Sequence, residues 1–317
     1  MIKIASRRIL TVSSLAITLS VVVHAQSPGF PEQDPDDHSV IQVGPTISMF
    51  KHQVDLQNGA ENTVAALPHL NYYKGPVIAN AQIVEVLYGA GSYLSNITSK
   101  MPPNIASFVN GVGNSPYFAW LTEYDTPYQN IGFASFLKGV EITPSLIRDG
   151  SVITDAQVKA ELSHQIGLGA VPAPTNNTLY MMFFPHGKNI SQGGTLSCVQ
   201  FCAYHGTFMR NGQIVYYGVL PDMSPGSGCE VGCGNNTQYN NQTSVMSHEW
   251  VEAVTDAAVG LATGATPAYP LAWYDPNNGE IGDICDNQQA TIVGSDGRTY
   301  TVQKEWSNAS NACIVHK

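Results

Sequence analysis

The sequence predicts an α+β protein, a single mixed-sheet domain flanked by helices, with disulfides bracing its second half. Three observations lead there. β-Branched and aromatic runs bounded by glycine or proline alternate with stretches that carry helix caps and apolar residues at intervals of three and four. All six cysteines fall from Cys198 onward. Between Tyr72 and the C-terminus no repeat and no linker interrupts the pattern.

The chain divides into three stretches. Lys3, Arg7 and Arg8 precede an apolar run over residues 9–23 and the small-residue site Val23-His24-Ala25, so residues 1–25 read as a secretory signal peptide cleaved after Ala25. That run is too short for a stable membrane anchor. Residues 26–71 are polar and rich in Pro, Asp, Gln and Asn, the composition of a poorly ordered lead-in. Residues 72–317 form the folded domain. Ile83-Val84-Glu85-Val86-Leu87-Tyr88 reads as a core strand. Pro102-Pro103 opens a short helix ended by Gly111, and Ser115-Pro116 caps a second. Thr154-Asp155-Ala156-Gln157 is a capping box for a helix stopped by Gly167 and Gly169. Residues 178–184 and 213–220 are two further buried strands, and a last helix is predicted from Asn241 or Thr243 to about Val259.

Charge excludes one class of partner. Charged residues make up 12% of the chain and the net charge is −10, so no basic stripe is present to neutralise phosphates, and nucleic acid is not a partner. An even number of cysteines behind a signal peptide favours disulfides in an extracellular or periplasmic protein. The two C-x₃-C pairs also resemble half of a zinc cage each. Six cysteines allow fifteen pairings. The expected set is Cys198 with Cys202, Cys229 with Cys233, and Cys285 with Cys313.

The chemistry lies in Ser247-His248-Glu249-Trp250-Val251-Glu252-Ala253-Val254-Thr255-Asp256. Residues four apart on a helix share a face, so His248 and Glu252 can grip one metal ion, with Glu249 beside them. This is a zincin-like active-site helix, the His-Glu-x-x-His pattern with Glu252 in place of the second histidine; a carboxylate is an acceptable zinc ligand. A third ligand is expected downstream, in Glu280-Ile281-Gly282-Asp283-Ile284-Cys285, where Asp283 or Glu280 qualifies. Asp256 is expected to orient a ligand from one turn further along. Glu249 is the expected general base, and His186 or His205 would polarise a substrate carbonyl. Zn²⁺ is the expected cofactor, although one histidine with two carboxylates also suits Mn²⁺, Fe²⁺ or Ca²⁺. The substrate would be a peptide or protein, cell-wall material included. The rival reading is a polar helix face in a non-catalytic envelope protein.

Several separated segments resemble the phosphate-induced protein 1, or EXORDIUM-like, family of secreted proteins. They are Tyr72-Tyr73-Lys74-Gly75-Pro76, Cys198-Val199-Gln200-Phe201-Cys202-Ala203-Tyr204-His205-Gly206, the pair Cys229 and Cys233 after Tyr216-Tyr217-Gly218-Val219, and the segment from Cys285 to Cys313. The resemblance implies an extracellular or cell-envelope protein with disulfides. It implies little about chemistry, because the plant members are not established enzymes. Their pattern lacks the His-Glu-x-x-Glu segment, and this chain resembles a bacterial branch that keeps it.

Overall fold

The computed structural model describes residues 48–50, 67–261 and 270–317. The expected signal peptide lies outside the described residues. The main sheet has six strands: β1 (Ser48–Phe50), β2 (Gln82–Leu87), β3 (Ser135–Glu141), β4 (Thr178–Phe183), β5 (Phe201–Arg210) and β6 (Gln213–Leu220), in the order β1-β5-β6-β4-β2-β3. The strands from β6 through β4 and β2 to β3 run parallel, whereas β5 is antiparallel to both its neighbours. Strand β1 falls within the stretch whose composition reads as a lead-in. Its pairing to residues 201–204 gives β5 a partner on its second edge.

Strand β4 is apolar throughout because both of its faces are covered. Leu179, Met181 and Phe183 point into one cluster, and Tyr180 and Met182 into another; period-two alternation on a pleated strand sends neighbours to opposite sides. Among the described residues three helices of more than two turns pack on this sheet, α1 (Ile105–Gly113), α2 (Asp155–Gly167) and α3 (Gln238–Thr255). Helix α2 covers one face through Val158, Leu162 and Ile166. Helices α1 and α3 share the other with Phe108, Val109, Val245 and Val251. The architecture is thus mixed α and β.

Local chemistry sets the helix ends. Thr154 and Gln157 form the capping box of α2, as the sequence predicts. Asn104 with Ser107 does the same for α1, which runs past Gly111 to Gly113. Helix α3 is capped by Thr237, whose side chain accepts from Asn240 N. The predicted caps Asn241 and Thr243 lie inside it, and Thr243 Oγ1 donates to Thr301 O at 2.8 Å. The helix stops at Thr255, and residues 241–255 are all buried. It is therefore enclosed on every side rather than packed along one stripe.

The disulfides differ from the expected set. Cys198 joins Cys229 and Cys202 joins Cys233, each 31 residues apart, while Cys285 joins Cys313 as expected. Residues 198–200 form a turn in which Cys198 N donates to Phe201 O at 2.8 Å, and Cys202 lies beyond that turn in strand β5. Segments 198–202 and 229–233 instead lie side by side, and two rungs join them. Three bridges fit a protein made in an oxidising compartment. Among the described residues no helix is long and apolar enough to cross a membrane.

Glu85 is an anomaly of the core strand β2. It lines a cleft of about 290 Å³ with Ile97, Ile105 and Phe136. Burial pushes its carboxyl up to about 8 from 4.5. The folded state thus holds this proton more tightly than the unfolded chain does. The resulting stability is complete below about pH 4.5 and declines as pH climbs toward 8. In urea titrations, Glu85→Gln should gain on the native chain by up to ~1.4 kcal/mol per pH unit across that window. Parallel stability curves for the two proteins would refute the assignment.

Candidate metal centre

Helix α3 delivers His248, Glu249 and Glu252 to the space between the sheet and the C-terminal segment, and all three have 0% exposure. Trp250 anchors the opposite side of the helix, its ring 4.8 Å from that of Phe118 and 6.4 Å from that of Phe108. From the sheet, β5 turns Ala203, His205 and Thr207 toward the helix, and Thr207 Oγ1 donates to Ala257 O at 2.6 Å. The C-terminal segment closes the third side. Its strand β7 (Gln289–Val293) pairs with β8 (Thr299–Gln303), which lies along α3, where Gln303 N donates to Ser247 Oγ at 2.9 Å.

Two donor groups converge, and they share Glu252. His248, Glu252 and Asp283 form one and His205, Glu249 and Glu252 the other; within each, the ligand atoms lie within 4.8 Å of one another. His248 Nε2 stands 3.1 Å from Glu252 Oε2 and 4.0 Å from Asp283 Oδ1. His205 Nδ1 stands 3.2 Å from Glu249 Oε2 and 3.4 Å from Glu252 Oε2. Donors at about 2.0–2.2 Å from one tetrahedral ion are separated from each other by roughly 3.4 Å. His248 Nε2 and Glu252 Oε2 are both buried, yet neither makes a hydrogen bond. Their short separation without a hydrogen bond leaves both atoms available to a shared ligand.

Asp283 is the member that reaches solvent, its side chain 22% exposed. The turn that carries it is tied on both sides. Asp283 N donates to Glu252 Oε1 at 3.0 Å, Asp283 Oδ2 accepts from Glu280 N at 3.0 Å, and the Cys285–Cys313 bridge follows two residues on. Glu280 points elsewhere, with Oε2 3.5 Å from His205 Nε2. Of the two candidates for a third ligand beside His248, Asp283 is thus the one that approaches it.

Other expected site residues are placed differently. His205 is 3% exposed and sits among Glu249, Glu252 and Glu280, not at a rim where it could meet a carbonyl. His186 Nδ1 lies 2.8 Å from Asp222 Oδ2 and 3.0 Å from Ser224 Oγ, and belongs to neither donor group. Asp256 leaves the helix as its C-cap, and its Oδ1 accepts from Ala272 N at 2.7 Å. It therefore does not take the second nitrogen of His248. Gln303 does, with Nε2 2.7 Å from His248 Nδ1 and donating to Gly282 O at 2.9 Å. Gln303 and Glu305 were not legible in the sequence, because nothing in their neighbourhood marks them. Glu305 has 0% exposure, and its Oε1 lies 3.0 Å from the hydroxyl of Tyr117.

The electrostatics are those of a crowded anionic centre. Burial raises the carboxyls of Glu249, Glu280 and Glu305, and it carries Asp256 up to about 7 and Asp283 to about 8. Burial acts the same way on Glu252, but the His248 and His205 rings overcome it and hold this carboxyl down at about 2. Burial disfavours both imidazolium ions, and the surrounding carboxylates outweigh it, so both rings are pushed well above their usual range. Among the described residues no lysine or arginine forms an ion pair with any of these acids.

No protein-family model, curated protein or solved structure matches the chain. The geometry is therefore what speaks for the centre.

Gly282 is where the carboxylate-bearing turn touches the helix most closely. A Cβ there would meet His248 Nδ1 at 2.6 Å and Glu252 Oε1 at 2.8 Å. Gly282→Ala should destabilise the fold by about 1–3 kcal/mol in urea denaturation. An unchanged midpoint and slope would show that the turn is not pressed against the helix.

Proposed function

We propose that the protein is an exported metal-dependent hydrolase of the zinc-peptidase type, in which His248, Glu252 and Asp283 hold a divalent cation, Zn²⁺ or a related ion. One observation carries this reading. His248 Nε2 and Glu252 Oε2 are buried 3.1 Å apart and unhydrogen-bonded, with Asp283 Oδ1 at 4.0 Å. Leaving such groups without an aligned hydrogen bond in a protein interior is costly, and a cation between them would remove that cost. A bound cation would supply a Lewis acid that acidifies water and polarises a carbonyl.

The chain's own groups have distinct tasks under this reading. Glu249 is adjacent to the ligands, and its Oε1 is buried without a partner, which suits a residue that takes a proton from water and returns it to a leaving amine. Asp283 provides the solvent-facing side, where a peptide or protein substrate would approach. Gln303 contacts the other ring nitrogen of His248. Ligation through Nε2 requires the proton on Nδ1, so the Gln303 amide, whose Nε2 is placed 2.7 Å from Nδ1 and donates to Gly282 O at 2.9 Å, would have to turn its Oε1 toward that N–H and give up the Gly282 contact. We also keep the kinship with the EXORDIUM-like family as part of the proposal, resting on the cysteine and tyrosine segments that resemble it.

A second reading has its own support. Zero exposure of His248, Glu249 and Glu252 is what a closed structural ion site would show, since catalytic sites keep an open position. The two separate by experiment. For the hydrolase, purified protein should cleave a broad peptide library, lose cleavage on chelation and regain it with Zn²⁺. Glu249→Gln should lower turnover by at least ~100-fold while the metal bound at His248 is retained. Metal retained with no cleavage of any peptide would favour the structural ion.

Gln303 offers an independent check. Gln303→Leu should weaken binding of the ion at His248 by about 10–100-fold, and Gln303→Glu should preserve or strengthen it. Equal affinity in all three proteins, measured by competition with a chromogenic chelator, would show that Gln303 does not orient the ligand.

A further inference from the structure

Apart from Glu252, the groups around His205 are not ligands of a single ion at His248. The ring nitrogen Nδ1 faces two carboxylate oxygens, Glu249 Oε2 at 3.2 Å in hydrogen-bond geometry and Glu252 Oε2 at 3.4 Å. One N–H can serve only one of them well. On the other side, Nε2 lies 3.5 Å from Glu280 Oε2. Glu280 is fully buried, and neither of its oxygens makes a good hydrogen bond to any described group. Glu249 Oε1 is also buried without a partner. A histidine that binds metal through one nitrogen commonly gives its other N–H to a carboxylate, which fixes the tautomer and the ring plane. Glu280 is in place for that role, and it would leave Nδ1 with a lone pair aimed at Glu249 and Glu252.

Charge balance leads the same way. Glu249, Glu252, Asp256, Glu280 and Glu305 have 0% exposure, and Asp283 joins them at the edge. No lysine or arginine pairs with these six among the described residues. With all six ionised, one dication leaves four of those charges uncompensated in a medium where charge is expensive to bury, and protonation is the other way to relieve them. Two dications offset four of the six carboxylates. Of the remainder, Asp256 accepts a backbone N–H and Glu305 faces a tyrosine hydroxyl.

We propose that the centre binds two divalent cations, the second held by His205 Nδ1, Glu249 and Glu252, with Glu252 bridging the pair and Glu280 orienting His205. The proposal rests on the reading of the first site given above and adds to it. With Oε2 of Glu249 on the second ion, its Oε1 stays free for the proton. Histidine with carboxylate oxygens is a donor set for Zn²⁺ or Mn²⁺ rather than for a soft ion.

Metal stoichiometry tests this directly. Disulfide-intact protein, stripped by chelator and re-equilibrated with Zn²⁺, should carry two ions per chain, His205→Asn one, and His248→Asn one. With Mn²⁺, the native protein should give the electron paramagnetic resonance spectrum of an exchange-coupled pair, its hyperfine spacing half that of an isolated ion. Glu280→Gln keeps every ligand in place and guards against a misfolded His205→Asn. It should weaken the second ion by about 10–100-fold and leave the first unchanged. One ion per chain in the native protein, or two that are magnetically isolated, overturns the proposal. If the single ion is lost in His248→Asn but not in His205→Asn, the second site falls and the hydrolase reading stands. Two coupled ions with no hydrolysis of any peptide would uphold the pair and remove the hydrolase.

Discussion

The contact on which the arrangement depends is the one Glu252 makes with two imidazoles at once. Its Oε2 is 3.1 Å from His248 and 3.4 Å from His205, and its Oε1 receives the amide of Asp283. Three parts of the chain far apart in sequence therefore meet on one carboxylate: helix α3, strand β5 and the turn before Cys285. Burial makes this a strong constraint. In water the three contacts would be interchangeable with solvent, whereas at zero exposure each unmet lone pair or proton has a cost.

The scaffold holds that meeting point with apolar packing on one side and covalent bonds on the other. Trp250 and its aromatic neighbours press α3 against α1 and the sheet. The Cys285–Cys313 bridge ties the turn bearing Asp283 to the C-terminal strands. Paired bridges Cys198–Cys229 and Cys202–Cys233 hold the loop between β6 and α3 to the start of β5, close in sequence to His205. In the chain-entropy model a bridge closing a loop of this size stabilises by roughly 3–4 kcal/mol. Such bracing offsets the crowding of like charges that the interior of this protein carries.

The resulting centre differs from the simple one-helix picture that its motif evokes. A His-Glu-x-x-Glu helix alone would offer ligands from one turn, but here the sheet contributes a second histidine facing the same glutamate, and the C-terminal hairpin contributes an amide that lies against the first histidine. Under the proposed reading, the enclosure strengthens every electrostatic interaction inside it and leaves Asp283 as the side through which solvent meets the site. The same enclosure is why a closed ion site competes with catalysis as an explanation.

What the sequence determined alone was local. The capping box Thr154–Gln157, the strand over residues 213–220, and the His248, Glu249 and Glu252 set depend on spacing along one element, and spacing is visible in a one-dimensional string. Asp283 was legible because a cysteine two residues later marked a tethered turn. Tertiary structure decided what no local spacing encodes. Cys198 pairs with Cys229 because two segments lie side by side, not because C-x₃-C is a short loop. Thr237 rather than Asn241 caps α3, since all three polar side chains near its start can cap and only the packed chain selects one. His205, Gln303 and Glu305 reach the centre through strand register and the fold-back of the C-terminus, relations between residues tens of positions apart. Burial turned this polar helix face into a centre, and burial is a property of the packed whole.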